Sequence, residues 1–346
     1  MAGRQFYGFE RGEAERRLRK LVSIADSSSP AIHKVNDAVA LPGLPGLYDT
    51  EGRRIEQAAV RTVSPDAPLI RKEKLYKGAP GVVPLPESFE VVDEPILFGG
   101  HLMKHYGHFI IESMSRLWAR DLFPTLPLLF TSPRKWRDRP GYGVDVFKAL
   151  DLDSRIRLVD RPTLFREVVC PATAFEYRWK VFSVADEPHS AVASALEGSS
   201  ERSWRRPAYL TRSGLSDDLR KSDAEPELEQ ELSRRGFDVL RPETMSLAEQ
   251  ISLFEQAPLV VGTVGSALHT ALFSRSPRTR LGILNWGRGY ENCLLIDAVK
   301  QHTAYYLKSM RRRGEAAEHE LDVGLTLKLL EEAGLLEATA RVGFAD

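Results

Sequence analysis

Residues 207–285 read PAYLTRSGLSDDLRKSDAEPELEQELSRRGFDVLRPETMSLAEQISLFEQAPLVVGTVGSALHTALFSRSPRTRLGILN, and their alternation decides the fold. Strand-like runs at 208–211 (AYLT), 237–240 (FDVL), 258–261 (PLVV) and 281–284 (LGIL) alternate with helix-like segments. Each run hands over to a polar, basic or glycine-rich exit: Arg212, Glu243, the loop Gly262-Thr263-Val264-Gly265-Ser266, and Asn285. Strands joined by crossovers of this length pair in parallel, and a parallel sheet binds ligands beyond the carboxyl ends of its strands. These four exits are therefore expected to share one rim.

The intervening helices are punctuated. Ser222 stands three residues before Glu225 and Pro226 falls in the first turn, which predicts a capping box opening a helix over 227–235 that Gly236 closes. Ser246 and Glu249 predict a second box before a helix over 247–256, with Leu247, Ile251 and Phe254 on one face and Pro258 as the stop. Ser266 is expected to cap a third helix from Ala267, with Leu268, Ala271 and Leu272 facing the sheet.

The third exit suggests an anion. A buried strand passing through Gly262 and Gly265 into a helix start leaves backbone N–H groups pointing into the crevice. Arg212, Arg220 and Lys221, in the loop after the first strand, add fixed cations, and several donors suit a diphosphate better than a carboxylate. The glycine spacing matches neither the dinucleotide fingerprint nor the phosphate loop, and Gly-x-x-Gly is common in tight strand-to-helix turns for conformational reasons alone.

At 346 residues the chain exceeds the size at which one core stops growing, so two domains are expected, over 1–195 and 196–346. The 48 Lys and Arg balance 48 Asp and Glu, which gives no general attraction to nucleic acid or anionic membrane. The basic runs 16–20 and 311–313 read as solvated helix faces. Two cysteines, Cys170 and Cys293, are too few for a disulfide framework or a thiolate cluster and suit a reducing compartment. No apolar run reaches membrane-span length and the N-terminus lacks a signal-peptide core, so the expectation is a cytoplasmic protein without an integral membrane segment. Residues 1–95 are rich in Pro and Gly, strand-like pieces follow at 95–98, 126–130 and 166–170, the polar segment 185–206 contains the connection between the halves, and 321–336 is an amphipathic helix. Both halves read as α/β, joined across a cleft.

A second cluster is HLMKHYGHFIIESMSRLW, residues 101–118. On a helix starting near Tyr106, His108, Glu112 and Arg116 fall on one face at four-residue spacing. A carboxylate one turn from a histidine orients the imidazole and raises its basicity, as a general base for an alcohol requires. A plain alternative is a surface salt link in which His108 and Arg116 bracket Glu112. A metal site built from His101, His105, His108 and Glu112 matches no spacing of established ligand geometry.

Together, HYGHFIIESMSRLW, the 209–212 strand end with Arg220-Lys221, RRGFDVLRPETMSLAEQISLFEQA and VVGTVGSALHTALF resemble glycosyltransferase family 61, including its bacterial capsular polysaccharide biosynthesis members. The resemblance covers roughly residues 95–290 and rests on several motifs in order. It implies two Rossmann-like domains facing a cleft (GT-B type), a nucleotide-sugar donor bound by the C-terminal domain as substrate, and inverting, metal-independent transfer to a glycan hydroxyl with no cofactor. The family loop usually reads His-Gly-Ala-Gly where this chain has Val264-Gly265-Ser266-Ala267. Glu is common where Asn285 stands, and Asn where Ser222 stands. His269, one turn into the helix, is placed to stand in for the missing imidazole, or to be a buried structural histidine.

The resulting expectation assigns the donor diphosphate to Arg212, Arg220, Lys221 and the N–H groups near Gly262, Gly265 and Ser266. Glu243, Asn285 and His269 contact the nucleotide or sugar, while His108 with Glu112 takes the acceptor proton. Val264 favours an alternative, a catalytically silent nucleotide-sugar or glycan-binding subunit associated with a polysaccharide assembly complex. A metal-dependent hydrolase using the histidine stripe is a further alternative.

Overall fold

A computed structural model describes residues 3–10, 12–13, 25–26, 28–60, 81–132, 141–215, 222–313 and 318–336. The chain divides into two compact units, one of Met1–Ser23 with Leu196–Asp346 and one of Ile24–Ala195. The first strand, β1 (Arg4–Tyr7), thus belongs with the C-terminal half, although the expected division placed it with the N-terminal one. Its main chain pairs in parallel along β-register Arg4 to Ala304 through Tyr7 to Leu307, and a backbone ladder outweighs sequence distance.

The unit Ile24–Ala195 carries β2 (Ala25–Asp26), β3 (Ile32–Ala40), β4 (Glu90–Val92), β5 (Ile96–His101), β6 (Leu128–Thr131), α1 (Gly141–Ala149), β7 (Ile156–Leu158), β8 (Thr163–Pro171), β9 (Phe175–Glu176), β10 (Lys180–Phe182) and α2 (Asp186–Ala195). Its main sheet runs β3-β8-β5-β6-β7, with β4 also on β8. β5, β6, β7 and β8 are parallel and β3 closes the edge antiparallel. All six residues of β5 and all four of β6 are buried, which is why these runs read as continuously apolar. Phe130 packs against Phe147 at 5.6 Å between centroids and so seats α1 on the sheet. From β5 the chain steps outward through β6 and β7, then returns to the other side of β5 as β8. The strand order therefore reverses between β5 and β8.

The other unit adds β11 (Ala208–Leu210), α3 (Glu225–Arg234), β12 (Asp238–Leu240), α4 (Leu247–Gln256), β13 (Val260–Thr263), α5 (Ser266–His269), β14 (Arg280–Asn285), α6 (Glu291–Lys300), β15 (Thr303–Lys308), the hairpin β16 (Met310–Arg313) and β17 (Glu318–Leu321), and α7 (Val323–Glu332). Its sheet, β1-β15-β14-β13-β11-β12, is parallel throughout. Tyr209, Val261, Leu284 and Leu307 from the strands meet Leu228 and Leu232 of α3 and Leu329 and Leu330 of α7 in one core. Here the order reverses between β11 and β13.

Local details differ from the sequence expectation. The Ser246–Glu249 capping box forms in full. The Ser222–Glu225 box does not, because the Ser222 hydroxyl accepts the Leu321 N–H and Glu225 is drawn to the end of β11. The third helix starts at Ser266 with Gly265 at its N-cap and is one α-turn continued by a 3₁₀ turn, Thr270–Phe273. Arg311 to Arg313 form a strand rather than a helix face, held by pairing with Glu318 to Leu321. The run 16–20 lies outside the described residues.

Candidate functional site

In the C-terminal unit the exits of β11 and β13 flank the point of strand reversal, which is where open parallel sheets leave a crevice. Arg212 follows β11, and its Nη1 lies 3.9 Å from where a Cβ on Gly265 would stand. Gly265 has an extended backbone, and a Cβ there would meet only ordinary contacts, the Thr263 carbonyl at 3.7 Å and Arg212 Nη1 at 3.9 Å, so the turn approaches the guanidinium without crowding it. The N–H groups of Gly265, Ser266 and Ala267 meet no acceptor among the described residues, as the first turn of a helix dictates, and the three residues are only partly buried. A guanidinium and a row of amide donors thus converge on one patch.

A buried carboxylate fixes the Arg212 end. Glu225 is 3% exposed and accepts the Tyr209 hydroxyl at 2.6 Å and the Arg212 N–H at 3.1 Å, with the Thr211 hydroxyl at 3.4 Å. The same Thr211 hydroxyl donates to Glu229. Burial, then the charge of Glu225, pushes the Tyr209 phenol well above its ordinary pKa, so it remains a donor. Sequence reasoning read Glu225 as half of a capping box. Its signal was the four-residue spacing to Glu229, which puts two carboxylates on the face of α3 toward β11.

Glu243, exposed in the 3₁₀ turn Pro242–Thr244, has its carboxylate against Gly214 in the Arg212 loop. Arg220 and Lys221 lie outside the described residues. His269 ends the α5 turn, partly buried and engaged in further contacts of its own. Val264 is buried and donates its N–H to Leu284, so its side chain takes a packing position.

Gly262 and Asn285 each have a structural role. Gly262 is inside β13, where an added Cβ would press Leu210 Cβ at 3.3 Å and Leu268 at 3.4 Å, so it lets α5 close on the sheet. Asn285 is fully buried. Its amide donates to the Ile283 and Leu307 carbonyls, both at 3.1 Å, and its carbonyl accepts the Gly287 N–H at 2.8 Å, which spends the side chain on holding strand ends together.

The second candidate site occupies the reversal point of the other unit. Here β5 ends at His101, which is in register with Thr131 at the end of β6, and their side chains meet at 3.0 Å. Burial pushes His101 down to about 4, with the Glu112 carboxylate pulling the other way, so it is neutral near pH 7. Ser113 donates to the His101 carbonyl and accepts the Met103 N–H, each at 2.8 Å, and pins the loop between strand and helix. His108 and Glu112 are joined through Nδ1 and Oε2, with the carboxylate buried and the imidazole half-exposed. Nε2 of His108 has no partner among the described residues, so the nitrogen opposite the carboxylate is open. His105 lies 5.1 Å from the His108 ring and Tyr177 lies 5.6 Å from it, between centroids.

Arg116 does not share this face. A single α-turn, Tyr106–His108, widens into a π-turn, Phe109–Ser113, closed by Met114 N–H to the Phe109 carbonyl at 3.2 Å. The wider turn rotates Arg116 inward, where it is 2% exposed and donates to the carbonyls of Pro171 and Ala59. The salt link in which it would bracket Glu112 does not form. Among the described residues no group of three or more His, Cys, Asp or Glu side chains is arranged to hold a metal ion, so His101, His105, His108 and Glu112 do not form a ligand set.

Thr131 and Tyr177 were not foreseen as parts of this site, because both are remote in sequence from residue 108; Ser113 lies within the 101–118 run but was assigned no role there. Trp204 is buried at 3% exposure and takes a packing role under Arg202. Among the described residues no helix is long and apolar enough to cross a membrane. Comparison with known families gives a match to the model of Glycosyltransferase 61 over residues 106–281, a span that includes His108, Glu112, Arg212 and Gly265. No curated protein matches the chain.

Proposed function

This chain belongs to glycosyltransferase family 61, and we propose that it moves a sugar from a nucleoside-diphosphate donor to a glycan hydroxyl with inversion and without a metal ion. Membership makes it a glycosyltransferase; the donor, acceptor and mechanism are the present reading. The observation that carries it is the approach of Arg212 to Gly265 where the strand order reverses, next to three open amide donors. In this reading Arg212, with Arg220 and Lys221, neutralises the diphosphate as the bond from the anomeric carbon to the phosphate oxygen breaks, and the electron pair leaves with the phosphate. Ser266 and Gly265 offer N–H groups to the same oxygens. Glu243, exposed beside the Arg212 loop, is assigned to hydroxyls of the ribose or sugar, and His269 to the sugar side of the pocket.

His108 is assigned as the general base. Glu112 fixes Nδ1 and stabilises the imidazolium, so Nε2 takes the acceptor's proton while the acceptor oxygen forms the new bond to the anomeric carbon. The proposal includes a GT-B type arrangement of two domains over 1–195 and 196–346, less the N-terminal strand, a cytoplasmic location, and a place in capsular or other surface polysaccharide synthesis. A catalytically silent binding subunit remains the second reading, favoured by the buried Val264 in place of the family histidine.

Thermal shift with nucleoside diphosphates and nucleotide sugars, paired with an assay of diphosphate release, tests the reading. A ligand at 100 times its dissociation constant stabilises the folded state by about 2.7 kcal/mol, a shift easily read. Arg212→Ala should abolish that shift. His108→Ala should keep it and lose turnover. Full turnover in His108→Ala would remove His108 from the mechanism, and binding without release in the unaltered protein would favour the silent subunit.

A further inference from the structure

Tyr177 sits at the tip of the β9–β10 hairpin, far in sequence from the His108 turn, yet its ring lies 5.6 Å from the imidazole with 33° between the planes. Three observations show that the hairpin is held to this position. Ser115, three residues beyond Glu112, accepts the Phe175 N–H at 2.8 Å and gives its own carbonyl to the Ala174 N–H at 2.8 Å. Trp179 N–H closes the tip on the Glu176 carbonyl at 3.0 Å. Arg178, next to Tyr177, has φ +59, a left-handed conformation that a side chain with a Cβ adopts at a cost. The hairpin leaves from the end of β8 and His108 follows the end of β5, so the two arrive from either side of the strand reversal.

We propose that Tyr177 is a positioning residue for His108. Its ring fixes the plane of an imidazole that Glu112 holds only through Nδ1, and its π-face stabilises the imidazolium formed when Nε2 takes the acceptor proton. No atom of Tyr177 exchanges a proton in this step. The role belongs to the ring face and not to the hydroxyl. This inference rests on the reading of His108 as the base.

The test uses the full chain and follows release of diphosphate from UDP- and GDP-sugars as a function of pH, in Tyr177→Phe, Tyr177→Leu and His108→Ala. Tyr177→Leu removes the ring while keeping apolar bulk at the tip of the hairpin. The expected result is near-normal rates in Tyr177→Phe, and in Tyr177→Leu a roughly tenfold lower kcat with donor KM unchanged. The acidic limb of the Tyr177→Leu profile should also move about half a unit lower, since an imidazolium without its aromatic neighbour loses its proton more readily. If His108→Ala is inactive while Tyr177→Leu keeps the normal kcat and profile, the positioning role is wrong and the base survives. Equal losses in Tyr177→Phe and Tyr177→Leu would also overturn it, by assigning the effect to the hydroxyl. Full activity in His108→Ala would sink the base assignment and this inference with it.

Discussion

Arg116 and Arg212 carry the same guanidinium into opposite settings. Arg116 is sealed under Phe98, 5.3 Å from that ring, and spends its donors on main-chain carbonyls, whereas Arg212 is held by its backbone N–H and extends toward the Gly265 turn. Burial lowers the Arg116 pKa, yet its bonds are to neutral carbonyls that fix two loops, which is a structural use of a charge. The His101 imidazole is similar in kind. Its folded pKa of about 4 lies below the unfolded value near 6.5, so the folded state binds fewer protons between those values. Stability from this group is present above pH 6.5 and is lost as pH falls toward 4. Between pH 7 and pH 5 the loss should be about 2 kcal/mol. Urea unfolding of the unaltered protein and of His101→Gln at both pH values checks it: the variant should lose less by that amount, and parallel losses would refute the buried-neutral assignment.

Two serines with the same motif separate at the scale of the element. Ser246 accepts the Glu249 N–H at 3.2 Å and Glu249 returns to the Ser246 N–H at 2.9 Å, because the other charge near this pair, Arg202, stays 3.8 Å away on the second carboxylate oxygen. Around Ser222 there is competition, from the Leu321 N–H for the hydroxyl and from Tyr209 and Arg212 for Glu225. Ser246→Ala should therefore cost about 1 kcal/mol in chemical denaturation, while Ser222→Ala should leave α3 intact. A negligible loss in Ser246→Ala would show that the box contributes little to α4. The π-turn at Phe109–Ser113 is the corresponding device beside the His108 site. It keeps the four-residue pairing of His108 with Glu112 and turns the next register position, Arg116, into the core.

At the scale of the molecule, each unit is a sheet whose strand order reverses once, and each reversal carries a cluster of polar side chains. Within the C-terminal unit, β1 covers the outer edge of β15, Phe6 stacks on Tyr306 at 4.9 Å, and Phe9 meets Tyr290 edge-on at 5.8 Å. The Lys308 ammonium lies over the Phe9 ring and pairs with Glu13 at 3.4 Å. Removing residues 1–10 should expose that edge and lower the melting temperature by roughly 5 °C or more, at a loss on the order of 2 kcal/mol. Unchanged melting would mean that the N-terminal strand is an ornament of the sheet.

The sequence by itself determined the parallel α/β character of residues 207–285, the α4 capping box and the pairing of His108 with Glu112. Each of these arises within a turn or two of chain, where backbone sterics and residue spacing leave few alternatives. Only the tertiary structure decided that Arg116 meets carbonyls 55 and 57 residues away, that Asn285 locks strand ends, that the first strand joins the last of its sheet, and that Tyr177 covers His108. Such contacts follow from which buried surfaces meet once loops have closed, and no periodicity along the chain encodes that choice.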